Sequence, residues 1–122
     1  MALTKAKILA ADDTKLKELD MKKEWGDVVY VRTISGTERD FFEESYSEQK
    51  MKGFRVRFLV LALCDEKGER LFADADAEQL GKKSSASINK AFEAAWAHNA
   101  FSPEAVEELG NDSPSDRNAS ST

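Results

Sequence analysis

The chain has 122 residues, 41% of them hydrophobic and 34% charged, which makes it one domain by size, with one modest core under a heavily solvated surface. A net charge of −5, with lysines and arginines in dispersed pairs between acids, argues against a phosphate-tracking nucleic-acid surface. No apolar run approaches the roughly eighteen residues of a membrane span, and a single cysteine, Cys64, rules out both an intramolecular disulfide and a cysteine-built zinc site within one chain.

The N-terminus MALTKAKILAADD lacks a signal-peptide apolar region, so the protein is expected to stay in the cytoplasm where it is made. Thr4 is placed to cap a short helix, KAKILAA, that ends at Asp12-Asp13. The charged segment 15–23, a turn at Glu24-Trp25-Gly26-Asp27 and the β-branched run VVYVRTI predict an antiparallel hairpin, 15–23 with 28–34. So small a hairpin must lie against helices to be stable.

Ser35-Gly36-Thr37-Glu38 fits a capping box, and the helix it opens continues through RDFFEESYSEQK, with Phe42 and Tyr46 stacked and Glu48 paired with Lys52. Gly53 breaks it. The run FRVRFLVLALC, 54–64, is apolar nearly all round from Phe58 onward, and its length favours a buried helix over a strand. Asp65-Glu66-Lys67-Gly68 is a tight turn, ERLF a short extended return, and Asp74 the N-cap of a brief helix, ADAEQL, with Gly81 just past its end. A longer helix starts near Ser85, with Ile88, Phe92, Ala95, Trp96 and Asn99 on one face. Ser102-Pro103 opens a last helix that buries Val106 and Leu109 and stops at Gly110. The expected fold is therefore α+β, mainly α-helical, with one N-terminal antiparallel β-hairpin packed against five or six helices. Residues 1–109 form a single globular domain, and 110–122, which hold no large apolar residue, form a disordered C-terminal tail.

Candidate chemistry is sparse. Asp74, Asp76 and Glu78 have the rhythm of a calcium loop, but Gln79 and Ser85 stand where such a loop needs glycine and a bidentate glutamate, so these acids read as helix-start residues. His98 is the only histidine and sits near a helix end; Glu43-Glu44 and Glu107-Glu108 are adjacent pairs that point to different sides of a helix. Cys64 reads as a buried, inert thiol. All six glycines mark element boundaries, which leaves none for a phosphate loop. The two Asn-X-Ser matches in the tail follow from its Ser/Asn-rich composition. Thus no catalytic residue, cofactor or metal is expected. Trp25, Phe41, Phe42, Trp96 and Phe101 amount to more aromatic surface than a small core requires, and any left exposed marks a protein interface.

Four blocks in order, MALTKAKILAADD, EWGDVVYVRTISGTERDFFE, LALCDEKGERLFADADAEQLGKKSS and FSPEAVEELGN, together resemble the tail assembly chaperones of long, flexible-tailed bacteriophages, small tail proteins encoded just before the tape measure gene. The resemblance spans residues 1–110 and carries no motif residues for binding. It implies a non-enzymatic protein that binds the tape measure protein, self-associates around it, keeps it soluble until tail tube subunits polymerise, and is missing from the mature virion. A longer form made by programmed frameshift would engage the tail tube protein. The alternative expectation is a head–tail connector or tail completion protein that stays in the particle. Independently, an acidic stretch (Glu38, Asp40, Glu43, Glu44, Glu48) followed by a basic one (Lys50, Lys52, Arg55, Arg57) suits head-to-tail self-association.

Overall fold

The computed structural model describes residues 2–49 and 53–99. The final predicted helix, the tail 110–122 and the Glu48–Lys52 pair lie outside what can be described of backbone and side chains. Among the described residues are six α-helices and three antiparallel strands, a mainly helical α+β architecture as expected.

Helix α1, Lys5–Ala10, starts where the Thr4 hydroxyl accepts the Lys7 N–H at 3.2 Å. Strand β1, Leu16–Met21, pairs with β2, Asp27–Arg32, in the register Leu16↔Arg32 to Met21↔Asp27. Strand β1 stops short of the predicted 15–23 because Lys22–Trp25 wind into one helical turn, α2, rather than extending, and β2 runs from Asp27 to Arg32 instead of over 28–34. Gly26 closes that turn at φ 96°, a conformation that favours glycine, and its N–H reaches the carbonyls of Met21 and Lys22 at 3.1 and 3.0 Å.

Helix α3, Gly36–Gln49, opens with the predicted reciprocal cap: the Glu38 N–H bonds the Ser35 hydroxyl at 3.1 Å and the Ser35 N–H bonds the Glu38 carboxylate at 2.8 Å. Gly53, at φ 64°, starts helix α4, Phe54–Ala62. The apolar run does not stay helical to its end. Leu63 and Cys64 turn extended and add a third strand, β3, to the free side of β2, with pairs Tyr30↔Cys64 and Val31↔Leu63.

Two arginines hold that helix-to-strand switch. Ending α4 at Ala62 leaves carbonyls of its last turn without helical partners. Arg70 Nε donates to the Val60 carbonyl at 3.1 Å, and Arg32 Nε to the Leu61 carbonyl at 2.9 Å. Arg32 also pairs with Glu38, so one guanidinium ties the end of β2 to the start of α3 and the end of α4.

After β3 the Asp65 carboxylate accepts the N–H groups of Lys67 and Glu69 at 2.8 and 3.0 Å, and Gly68 takes φ 87°. Asp74 is not the cap of the brief helix that follows. A 3₁₀ turn, Asp74–Asp76, precedes α5, Ala77–Leu80, and Asp76 makes the local bond, accepting the Ala73 N–H at 2.8 Å. Asp74 instead pairs with Arg70 at 3.0 Å. The last described helix, α6, Ser85–His98, is capped by Ser84 and lays Ile88, Ala91, Phe92, Ala95 and Trp96 into the core.

Three helices meet there through their rings. Phe42 from α3, Phe54 and Phe58 from α4, and Phe92 and Trp96 from α6 form one cluster, with centroid separations from 5.0 Å (Phe58–Trp96) to 6.5 Å (Phe42–Trp96). Edge-on and tilted geometries prevail, as ring quadrupoles prefer. Met21 and Val31 close the core from the sheet side. Asn99 latches α6 to the strand end: its Oδ1 accepts the Ile34 N–H at 2.9 Å, and its Nδ2 donates to the Arg32 carbonyl at 3.3 Å.

Candidate functional site

Phe41 and Phe42 are neighbours on α3, so their side chains leave the helix about 100° apart, and only one can enter the core. Phe42 does, against Phe54 and Phe58. Phe41 is left 67% exposed. It forms one wall of a groove of ≈ 590 Å³ between α3 and α4, closed on its third side by the segment 70–77. Val60 and Phe42 are its buried floor, Leu61 and Ala77 are half-buried walls, and Glu38, Ser45, Arg57, Arg70 and Asp74 form the polar rim.

Each rim charge is held by a partner. Burial pushes the Glu38 carboxyl up, but the bonds from Arg32 and from the Ser35 N–H outweigh it and hold the group below the ordinary carboxylate range. Burial lowers Arg57 from its ordinary value, and its guanidinium donates to the Ser45 hydroxyl. Arg70 is anchored on the Val60 carbonyl while it pairs with Asp74. The groove is thus an apolar trough with fixed charges on its lip.

A second uncovered apolar surface lies at the other end of the sequence. Helix α1 buries none of its residues, and Leu3, Ile8 and Leu9 are 72%, 57% and 74% exposed. Lys5, Ile8 and Leu9 stand at i, i+3 and i+4 and share a face. The N-terminal segment thus gathers three exposed apolar side chains, whereas Leu16 and Leu71 are exposed singly elsewhere.

The five aromatic positions expected at an interface separate cleanly. Phe42 and Trp96 are core rings, Trp25 is half-buried against the core, and Phe41 is open. Phe101 lies outside the described residues. Leu61 and the arm residues Leu3, Ile8 and Leu9 were not expected as surface features. The signal for the arm was present in the sequence, since KAKILA is too short to bury a face without a partner.

The other singled-out residues have structural partners. His98 Nε2 donates to the Lys15 carbonyl at 2.9 Å, tying α6 to the start of β1. Cys64 is buried beside β2, and burial raises its thiol above the ordinary value. Among the described residues, no group of three or more His, Cys, Asp or Glu side chains is placed to hold a metal ion, and no helix is long and apolar enough to cross a membrane. No family model, curated protein or solved structure matches the chain.

Proposed function

We propose that the chain is a non-enzymatic tail assembly chaperone of a long, flexible-tailed bacteriophage, acting in the bacterial host cytoplasm to bind and solubilise the tape measure protein and to promote tail tube polymerisation. The observation that carries this reading is the Phe41 groove. A long helical client with an amphipathic face would place apolar side chains between Phe41 and Leu61 and its polar groups against the rim charges. Burying one leucine-sized side chain there contributes about 1.5–3 kcal/mol, so repeated weak engagements along a rod would hold it in solution without locking it. The order of the four sequence blocks supports the choice of client, and a longer frameshifted form would supply contact with the tail tube protein.

Co-expression with the long helical reading frame encoded downstream tests the proposal. The long product should be soluble with the wild-type chain and insoluble with Phe41→Asp, whose exposed position spares the fold. Equal solubility with and without the chain would end the chaperone reading. Mass spectrometry of purified virions separates the alternative, since a head–tail connector or tail completion protein would be found in the particle at stoichiometric level and a chaperone would not.

A further inference from the structure

The groove beside Phe41 lies close to the point where residues 100–122 leave the described fold. Asn99 is held on the Ile34 N–H and the Arg32 carbonyl, and Ile34 stands two residues before α3. The Arg32 guanidinium in turn bonds Glu38 and the Leu61 carbonyl, both of them residues of the groove. One arginine side chain thus separates the root of 100–122 from the groove, a gap that about two or three extended residues bridge at roughly 3.3 Å each.

The first stretch beyond that root matches the groove in pattern, length and charge. The sequence predicts a helix over 103–109 with Val106 and Leu109 at i and i+3 on one face. So short a helix is marginal in water unless a surface covers that face. It would be about 10 Å long, and residues 38–45 of α3, which wall the groove, also span about 10 Å at 1.5 Å per residue. Its charges are Glu104, Glu107 and Glu108, with no base anywhere in 100–110. On the rim, Glu38 and Asp74 are paired with Arg32 and Arg70, and Arg57 brings the guanidiniums to three against two carboxylates among the described residues. An acid-only helix complements that balance.

We propose that in the client-free protein the groove is filled by the chain's own residues 101–109, with Val106 and Leu109 seated between Phe41 and Leu61 and the glutamates turned toward Arg57 and Arg70. Tethering favours this occupant, because a short linker holds the helix at an effective concentration on the order of millimolar, an advantage that a separate helix lacks. Few apolar side chains take part, so the docking is weak and a client presenting the same pattern displaces it. That displacement rests on the chaperone reading; the docking itself stands on the groove and the segment alone.

Methyl-labelled NMR of the full chain, with no client present, tests it. The methyl groups of Val106 and Leu109 should show cross-relaxation to the Phe41 ring and the Leu61 methyls. In a mixture of labelled and unlabelled chains, filtered spectra should show none of those contacts between copies. Hydrogen exchange gives an independent readout: the amides of 104–109 should exchange about tenfold or more faster in Phe41→Asp than in wild type, while those of 91–95 in α6 stay unchanged. Phe41 is 67% exposed, so its substitution leaves the core rings in place. Val106→Asp should release the segment from the other side of the contact to the same extent. Contacts from Val106 and Leu109 to a different surface or to none, contacts only between copies, or exchange at 104–109 that is indifferent to Phe41→Asp would each overturn the proposal. With no client in the sample, none of these outcomes bears on the co-expression result, so the two readings fail separately.

Discussion

Replacing Asn99 tests whether the latch between α6 and the sheet is a source of stability or a by-product of helix termination. The side chain accepts the Ile34 N–H and donates to the Arg32 and Ala95 carbonyls. The Ala95 bond is dispensable, because the Asn99 backbone N–H already reaches that carbonyl at 3.2 Å. The other two are not. Asn99→Ala strands the N–H of a buried residue, at about 1–3 kcal/mol, and leaves a carbonyl to find water. A loss of about 2 kcal/mol is therefore expected, a Tm drop on the order of 6–12 °C in a domain of this size. Asn99 is also the C-cap of α6, where its backbone N–H reaches the carbonyls of the last turn, so Asn99→Gly, like Asn99→Ala, keeps the backbone cap and removes only the side chain. Urea denaturation of both variants, with Asn89→Ala on the exposed face of the same helix as a control, makes the comparison. Losses of similar size for Ala and Gly, with a change under about 0.5 kcal/mol for the control, are expected. If Asn99→Gly unfolds like wild type, the side-chain bonds contribute nothing and the latch argument is wrong.

Three further outcomes are expected. Phe58→Ala, at the centre of the ring cluster, should cost about 3–5 kcal/mol and leave the domain near its unfolding threshold, as measured by urea titration. The folded-state pKa of Glu38 lies below its ordinary 4.5, so its bond with Arg32 stabilises fully above that value and is lost as pH falls through the depressed one. The urea-midpoint difference between wild type and Glu38→Gln should thus be constant above about pH 5 and close in acid; a difference that widens in acid would refute the pairing. Gly68→Ala should destabilise by about 1 kcal/mol, being held at φ 87° with a new Cβ 3.4 Å from Leu16, whereas Gly36→Ala, with open space around it, should be neutral or slightly stabilising by thermal melt.

Features encoded within a few residues were legible in the sequence. Ser35 and Glu38 cap each other because both partners of each bond lie inside one turn, and Gly26, Gly53 and Gly68 stand where the backbone needs positive φ. The run 54–64 was misjudged at its end for the opposite reason. Leu63 and Cys64 leave the helix to pair with β2, over thirty residues earlier, and the helix end is held by Arg32 and Arg70, neither of them in the run. Asp74 pairs with Arg70 four residues before it while Asp76 takes the Ala73 N–H; both contacts are local, and the composition of the segment does not rank the two acids. The same limit applies to the groove: periodicity says one of Phe41 and Phe42 must face outward, but the choice is made by Phe54, Phe58 and Trp96.

The ring cluster also bears on when the protein can fold during its own synthesis. Phe42, Phe54 and Phe58 leave the ribosome well before Phe92 and Trp96, and domains fold as units from the N-terminus outward. A nascent chain that stops short of α6 has a hairpin too small to stand and three phenylalanines with half their neighbours untranslated. Folding of the domain is thereby deferred until translation has passed Asn99, and every polysome on the message displays unfinished, sticky chains side by side. The interval between emergence of Phe42 and closure of the core is thus set by the rate of elongation through the residues that carry Phe92 and Trp96.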